Sequence, residues 1–285
     1  MIAGTSRRPF IVDTDIGSDV DDAMVLSAIG RFSSEISLVG VTCVYGDVGL
    51  RAKIALKYLA GAGLGGVPVY CGESSPMSGR EVWHSGLEGS SLGDLSNYRG
   101  RDCGVDFLVA SAREYAGELE IVAIGPLTNI ARAISVDAGF ASRVRKVWMM
   151  GGDYSRDFAE HNMKCDVEAA KIVFASPMEI SVMPLDVTRQ VAIGISEFDF
   201  LGDGDLGLEI RQWAEFKKLD INNPHDLMAL LSAVRGEIFD VSGAGSVEVS
   251  ENGVTVHREG NGNVYVVRGC DVPAVKEAVF AALGR

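Results

Sequence analysis

Five aspartates fall within ten residues near the start of the chain: Asp13, Asp15, Asp19, Asp21 and Asp22. Two carboxylates about 4 Å apart repel each other by roughly 4 kcal/mol at an effective dielectric constant of about 20, so crowding several of them in one loop is costly without a counter-charge. A divalent cation removes that cost. Because the available ligands are oxygens and no Cys or His pair lies nearby, the segment indicates calcium or magnesium rather than zinc or copper. Calcium accepts the higher and looser coordination.

A structural role is the alternative for the same residues. Carboxylates at a helix N-terminus interact favourably with its exposed N–H groups, and Asp21 and Asp22 directly precede a stretch with helical periodicity. Capping accounts for one or two of the aspartates, but not for five.

The elements around the aspartates predict where they lie. A strand is predicted at 10–12, directly before them, and a helix at 23–29, directly after them. The same alternation continues along the chain, which predicts an α/β fold with a mainly parallel, Rossmann-like central sheet flanked by helices. The aspartates then lie at the carboxyl edge of the sheet, where such folds bind ligands. Further strands are predicted at 36–44, 67–70, 120–124, 147–150 and 180–183, and further helices at 52–59, 105–115, 129–134 and 167–174.

The C-terminal part has a different pattern. Short alternating runs at 246–249, 254–257 and 264–267 predict a small antiparallel meander. A closing helix is predicted at 272–283.

Residues 72–101 lack periodicity and are rich in Gly and Ser, which predicts a long loop. Long ordered loops are often functional, so Trp83 and His84 in this loop are candidates for substrate contact. No repeat or linker divides the chain, and a 47% hydrophobic content supports a sizeable core. We therefore predict a single domain over residues 1–285.

The net charge and the pattern of cysteines limit which binding partners and which cellular compartment are expected. Lys and Arg total 26 against 39 Asp and Glu, and the resulting net charge of -13 opposes binding to nucleic acid. The five cysteines are scattered and form no CxxC pair, which favours a reducing cytoplasm. Arg7 and Arg8 are followed by Pro9 and a short strand, with no signal-peptide pattern, and no apolar stretch is long enough to span a membrane. A cytoplasmic protein without membrane contact is expected.

Four segments resemble motifs of the inosine-uridine nucleoside hydrolase family. The stretch from Asp13 to Met24 resembles its DTDxGxDDA signature. The other three follow in the family's order: GPLTNIA at 125–131, MMGG at 149–152 with EHN at 160–162 and DVEAA at 166–170, and PHD at 224–226.

This resemblance implies a calcium-dependent enzyme that hydrolyses the N-glycosidic bond of a ribonucleoside or related N-riboside to free base and ribose. It implies that calcium is held by the carboxylates of Asp15, Asp22 and Asp226 and by the backbone carbonyl of Ile124. It also implies a homo-oligomer, a dimer or tetramer.

The same resemblance implies the substrate contacts. Asp21, Glu160 and Asn162 match positions that hold the ribose, and His225 matches a histidine beside the leaving base. His84 lies where the family often has another histidine.

The expected reaction passes through an oxocarbenium-like ribosyl cation. Calcium lowers the pKa of a bound water, and Asp15 is the expected general base that takes its proton. His225 is the expected proton donor to the leaving base, because imidazole changes charge near neutral pH. A structural histidine that orders Asp226 or caps a helix is the alternative.

Three departures from the family pattern leave the substrate open. The acidic loop is two residues longer and gains Asp19. Asp47 stands where better-known members have an asparagine that touches ribose, so we include it among the substrate-binding candidates. The stretch from 152 to 160 is short, and Tyr154 or Arg156 replaces the asparagine that binds the 5′-hydroxyl.

Two other functions are alternatives for the same residues. In a haloacid dehalogenase-like phosphatase, Asp13 would be the nucleophile and magnesium the metal. That interpretation leaves the later motifs unexplained. A non-catalytic nucleoside- or sugar-binding protein, altered at Asp47 and Tyr154, is the second alternative, and the presence of Asp15 as a base argues against it.

Overall fold

The computed structural model describes residues 7–285, which contain twelve strands and eleven α-helices. The strands are β1 Arg8–Thr14, β2 Ile36–Cys43, β3 Val69–Cys71, β4 Glu120–Ala123, β5 Lys146–Met150, β6 Ile180–Met183, β7 Ile193–Gly194, β8 Ile221–Asn222, β9 Phe239–Val241, β10 Gly245–Val249, β11 Thr255–Glu259 and β12 Val264–Cys270. The helices are α1 Asp21–Ala28, α2 Val48–Gly61, α3 Gly104–Glu114, α4 Thr128–Val136, α5 Phe140–Arg143, α6 His161–Cys165, α7 Val167–Phe174, α8 Leu185–Thr188, α9 Asp205–Lys217, α10 His225–Val234 and α11 Val272–Leu283.

The central sheet has the strand order β11-β10-β12-β6-β5-β4-β1-β2-β3, with β9 paired to β12. The seven strands from β12 to β3 are parallel to one another. The chain leaves β1 towards β2 and β3, then returns to place β4 on the other side of β1. In doubly wound folds this reversal opens a crevice at the carboxyl ends of the strands, where ligands bind. The predicted α/β fold with a mainly parallel sheet is confirmed.

Alternating apolar side chains of β1 build a core on each face of the sheet. Phe10 and Val12 pack with helices α1, α2, α10 and α11, whereas Ile11 packs with α3, α4 and α7. Because successive strand residues point to opposite faces, one short apolar run supports both cores.

Helix α11 shows how local sequence sets the boundaries of an element. The Asp271 side chain accepts a hydrogen bond from the Ala274 backbone N–H at 3.1 Å, and Pro273 lies in the first turn. Gly284 ends the helix with a φ of 103°, a conformation that glycine adopts without strain.

The C-terminal strands differ from a simple meander. Strand β10 lies between β11 and β12 and pairs antiparallel with both, while β12 also pairs in parallel with β6. This arrangement buries Val264 and Val266 against the main core and extends the central sheet.

The region between β6 and β9 contains elements that periodicity did not reveal: α8, α9, α10 and the two-stranded β7–β8 sheet. The predicted loop at 72–101 is confirmed, since no helix or strand interrupts it before the isolated pairing of Arg101 with Tyr70. No helix among residues 7–285 has both the length and the apolar character needed to cross a bilayer. The single domain over 1–285 stays a prediction, with residues 1–6 outside the described part.

Candidate functional site

Strand ends and helix starts meet around a cavity of about 250 Å³ at the carboxyl edge of the sheet. The aspartate loop follows β1, Ile124 follows β4, and Met150 ends β5, so adjacent parallel strands deliver these groups to one place. The lining residues are Asp15, Ser18, Asp19, Asp21, Asp22, Trp83, Ile124, Met150, Phe158, Glu160, His161, Asn162, Leu185, Arg189, Trp213, Lys217, His225 and Asp226.

Asp21 and Asp22 lie in the first turn of α1, yet neither is its cap. The N-cap residue is Val20, which offers no side-chain hydrogen bond. Asp22 instead accepts a hydrogen bond from the Thr14 hydroxyl. The two carboxylates therefore lie where the N-terminus of the helix favours negative charge, but neither caps it through a side-chain hydrogen bond.

Three carboxylates form a cluster suited to a metal ion. Oxygens of Asp21, Asp22 and Asp226 all lie within 4.8 Å of one another, although α10 supplies Asp226 from a distant part of the chain. Burial raises the pKa of each carboxyl well above its usual range, and the neighbouring aspartates raise it further. Within residues 7–285, no ion pair involves these three side chains. A buried, oxygen-only cluster without a cationic partner fits a hard divalent cation.

Asp15 and Ile124 border the same cluster. Asp15 is 6% exposed and packs against Gly125, where the Cβ atom of any larger residue would lie 2.9 Å from its Oδ1. The Asn162 amide donates hydrogen bonds to the carbonyl oxygens of Ile124 and Met150, at 3.1 and 3.2 Å. Asn162 thus joins the strand ends of β4 and β5.

Glu160 is the N-cap of α6 and is 3% exposed. Its Oε1 accepts from Asn162 N at 3.0 Å, and its Oε2 accepts from Gly152 N and Met163 N at 3.1 and 3.2 Å. Burial raises the pKa of Glu160, while these N–H donors oppose the rise. The backbone therefore fixes a carboxylate in the cavity wall.

Asp13 lies beneath the cavity and is fully buried. Its Oδ1 accepts hydrogen bonds from Thr42 Oγ1 at 2.5 Å and Asn129 Nδ2 at 2.7 Å, and burial raises its pKa to about 7. The same Asn129 amide donates to the Cys43 carbonyl and accepts from Glu73 N. A nucleophile must reach its substrate, so the phosphatase interpretation of Asp13 is wrong. Sequence reasoning missed the bracing role of Asn129, which lies within the GPLTN motif.

His225 begins α10 at the cavity wall. Its Nδ1 lies 2.6 Å from the Thr188 hydroxyl oxygen. Burial, and then the nearby Lys217 charge, lowers the pKa of His225 to about 4, which favours a neutral ring at physiological pH.

The structure does not bring Asp47 and His84 to the cavity lining. Asp47 is exposed and caps α2, with its Oδ1 accepting from Leu50 N at 2.9 Å. His84 is exposed, lies 4.0 Å from Glu88, and lines a neighbouring surface pocket. Trp83 lines both that pocket and the cavity.

The shortened stretch from 152 to 160 also differs from expectation. Tyr154 and Arg156 line a separate pocket beside the C-terminal strands, and Phe158 faces the cavity instead. Arg189 packs over the Phe158 ring at 5.4 Å from its centroid. The added Asp19 does line the cavity, and burial raises its pKa to about 7.

Helix α9 supplies two lining residues that sequence reasoning missed, Trp213 and Lys217. The helix carries a usable signal, because its buried Leu206, Ile210 and Trp213 recur at helical spacing. Its many charged residues obscure that pattern.

Comparisons with known proteins agree with this geometry. The family model described as inosine-uridine preferring nucleoside hydrolase matches residues 10–277. Uridine nucleosidase 1 of Arabidopsis thaliana is 31% identical over 275 residues, covering 88% of this chain and 80% of that protein. Two solved structures, the plant nucleoside hydrolase PpNRh1 and a purine-preferring ribonucleoside hydrolase from Gardnerella vaginalis, each superpose with a TM-score of 0.84 at 25% identity and cover 97% of this chain and 98% of their own.

The family match extends over nearly the whole chain and includes the loop, the strand ends and the α10 start that form the cavity. The resemblance drawn from the four motifs is confirmed. This chain belongs to the inosine-uridine preferring nucleoside hydrolase family and is an N-glycosyl hydrolase.

Proposed function

We propose that this protein hydrolyses the N-glycosidic bond of a ribonucleoside or related N-riboside in a calcium-dependent reaction. The buried cluster of Asp21, Asp22 and Asp226 borders Asp15 and has no ion-pair partner among residues 7–285, and this observation carries the proposal. The family membership supplies the class of bond.

Asp15, Asp22, Asp226 and the Ile124 carbonyl are the proposed calcium ligands. They border one cavity and offer only oxygen atoms, as calcium prefers. When bound, calcium would neutralise the clustered carboxylates, orient the ribose hydroxyls and acidify a water molecule.

Asp15 is the proposed general base that takes a proton from the attacking water. Its side chain is only 6% exposed, which limits the orientations open to the carboxylate. A base held in one orientation lowers the barrier, since no reorganisation is needed during the reaction.

Asp21, Glu160 and Asn162 are proposed to bind the ribose. All three line the cavity, and the backbone or neighbouring carbonyls fix the latter two. A negative carboxylate beside the ring stabilises the positive charge that develops as the bond to the base breaks.

His225 is proposed to donate a hydrogen bond to the leaving base, because a ring that burial keeps neutral is a hydrogen-bond donor and a poor source of a full proton. Because Thr188 occupies Nδ1, Nε2 is the ring nitrogen left for this contact. Trp83 and Trp213 line the same cavity and offer flat apolar surfaces to a base. The relatives' names differ between uridine and purine, so the base is left to experiment.

To test this proposal, the protein is incubated with a panel of purine, pyrimidine and modified nucleosides, and the release of free base and reducing sugar is measured. The wild-type protein with calcium is compared with a chelated sample and with Asp15→Asn. Release that is lost in both controls supports the proposal. Tight calcium binding without release from any nucleoside would contradict it and favour the binding-protein alternative.

Two further expectations accompany this proposal. A dimer or tetramer is proposed from the family resemblance, while the net charge of -13 and the apolar pattern of the sequence support the proposal that nucleic acid and membranes are not partners. Sedimentation of the purified protein measures the oligomeric state.

A further inference from the structure

Arg51 lies in the first turn of α2 and is only 1% exposed. Among residues 7–285 it forms no ion pair with a carboxylate, although the aspartate loop is next to it. A buried guanidinium is costly unless its N–H groups are hydrogen-bonded. The hydrogen-bond partners of the Arg51 side chain therefore indicate its structural role.

All the hydrogen bonds of Arg51 end on two loops. Nη1 donates to the backbone carbonyls of Asp15 and Ile16, the latter at 2.8 Å. Nη2 donates to the Ser18 hydroxyl at 3.1 Å, and Nε donates to the Tyr45 carbonyl at 2.5 Å. One side chain thus ties the loop after β1 to the loop after β2.

Both loops depart from regular backbone geometry, and the departure is strained only at Tyr45, since glycine adopts a positive φ without strain. Tyr45 has a φ of 67°, in the left-handed region that non-glycine residues rarely adopt, and Gly17 has a φ of 111°. Ser18 extends the connection, since its hydroxyl donates to Glu88 in the loop that carries Trp83. The contacts of Arg51 fall on the part of the site where the backbone is least regular.

The direction of the Arg51 bonds also matters. Its donors engage carbonyls and a hydroxyl rather than the carboxylates of the loop, and Asp15, Asp19 and Asp22 line the cavity. The planar fork of guanidinium can hold several acceptors at once, whereas a lysine ammonium is a compact charge that cannot reproduce the pattern.

We propose that Arg51 is a positioning residue, which holds the backbone of residues 15–18 so that the aspartates face the cavity before a metal ion binds. This inference rests on the proposed calcium-dependent function. It assigns Arg51 a role through the loop, without contact to the substrate.

The test compares Arg51→Met, which removes the charge and the donors, with Arg51→Lys, which keeps the charge. Lys53→Met is the matched control, because it removes one positive charge from the same helix. Three measurements are made: amide hydrogen exchange of residues 14–20 in metal-free protein, calcium affinity by titration calorimetry, and kcat and KM with the best nucleoside. Thermal unfolding of each variant is recorded in parallel.

We expect both Arg51 variants to exchange faster in the loop and to lose calcium affinity by roughly 10- to 100-fold, as is typical when a group that orients a metal ligand is removed. We expect kcat at saturating calcium to fall more than KM rises, because a displaced base slows chemistry. Lys53→Met should stay within about twofold of wild type in each measurement.

Two results would overturn the inference. If Arg51→Lys matches the wild type in exchange and affinity, charge alone suffices. If both Arg51 variants lower thermal stability but leave loop exchange and calcium affinity unchanged, the role is general packing. A wild-type protein that neither binds calcium nor hydrolyses a nucleoside would instead refute the proposed function, and the metal-free exchange comparison would still decide the role of Arg51.

Discussion

Two sets of buried carboxylates in this protein differ in their partners. In one set, away from the cavity, the partners are arginines: Glu120, 2% exposed, pairs with Arg8 at 3.0 Å and Arg145 at 3.8 Å. Asp153, fully buried, pairs with Arg156 at 2.7 Å. These ion pairs need no outside partner.

At the carboxyl edge of the sheet, no Lys, Arg or His of the described part of the chain forms an ion pair with the acidic cluster. Asp21, Asp22 and Asp226 are as deeply buried as Glu120, yet they face one another. The fold supplies arginines elsewhere, so an unpaired acidic cluster marks a place where another positive charge belongs. The difference separates carboxylates paired within the fold from those that we propose bind a metal ion.

The sharpest test of this contrast exchanges one acid of each kind for its amide. We expect Asp226→Asn to lower kcat/KM on the order of 10³-fold, because a ligand of the proposed metal is lost. In metal-free protein the same change should raise the free energy of unfolding by about 1 kcal/mol, since one of three repelling groups is removed.

Glu120→Gln is the matched variant at the arginine-paired site. It should leave kcat/KM nearly unchanged and lower the free energy of unfolding by roughly 2 kcal/mol, because two arginines lose their charged partner. Urea denaturation and steady-state kinetics measure both quantities. Equal stability changes in the two variants would refute the distinction.

Glu209 offers a third arrangement, in which a buried acid faces a neutral donor. Tyr58 Oη donates to its carboxylate, and burial raises the pKa of Glu209 from 4.5 to about 7. The folded state then binds this proton more tightly than the unfolded chain. Its stabilising contribution is complete below about pH 4.5 and is lost as the pH rises through about 7.

Glu209→Gln should remove the loss of folding stability that accompanies ionisation of Glu209 as the pH rises. We expect the stability difference between variant and wild type to grow by about 3 kcal/mol in favour of the variant from about pH 4.5 to about pH 8. Denaturant unfolding across this range measures it. Tyr58→Phe removes a donor that opposes the pKa rise, so its transition should shift to higher pH; an unshifted transition would argue against the hydrogen bond.

The effect of calcium on thermal stability should differ between variants of the acidic cluster and variants of the arginine-paired carboxylates. At a free concentration of about 100 times Kd, a ligand that binds only the folded state adds about 2.7 kcal/mol of stability. We expect a rise in Tm of this origin in wild type and Glu120→Gln, and its loss in Asp226→Asn. Differential scanning calorimetry with and without chelator measures the effect, and a rise that persists in Asp226→Asn would place the ion elsewhere.

The smallest expected effect concerns Asp47, an exposed acid predicted from the sequence to contact substrate. Asp47→Ala removes the cap of α2 and should lower the free energy of unfolding by about 1 kcal/mol. We expect KM to change by less than about twofold, since the side chain lies outside the cavity lining. A tenfold rise in KM would restore the sequence-based interpretation.

The position of the aspartates at the carboxyl edge of the sheet could be predicted from the sequence, because these residues are close together in the chain. Asp15 and Asp22 share one loop, and the strand before it and the helix after it follow from apolar periodicity. The PHD motif placed Asp226 beside them only through family resemblance, because no periodicity reports which distant helix approaches a given loop.

The rim of the cavity was harder to predict. Lys217 lies on a helix whose charged residues mask its apolar spacing, and Phe158 replaces the expected Tyr154 or Arg156 because a short loop changes which side chain turns inward. For Asp47 the prediction from the family motif failed for a local reason. Its side chain caps α2 and therefore does not line the cavity. Strand order in the C-terminal part depends on long-range pairing and cannot be derived from alternation alone.

The amide of Asn129 has a consequence for the order in which the chain folds. It joins Asp13, the Cys43 carbonyl and the Glu73 N–H, so the ends of β1 and β2 and the loop after β3 gain this shared contact only when α4 is in place. Asp226 completes the acidic cluster later still, from α10. Contacts between residues far apart in the sequence form slowly. During synthesis the aspartate loop is therefore made long before Asn129 and Asp226, which contact it in the folded protein. Metal affinity is therefore expected to appear late during synthesis, after most of the sheet is in place.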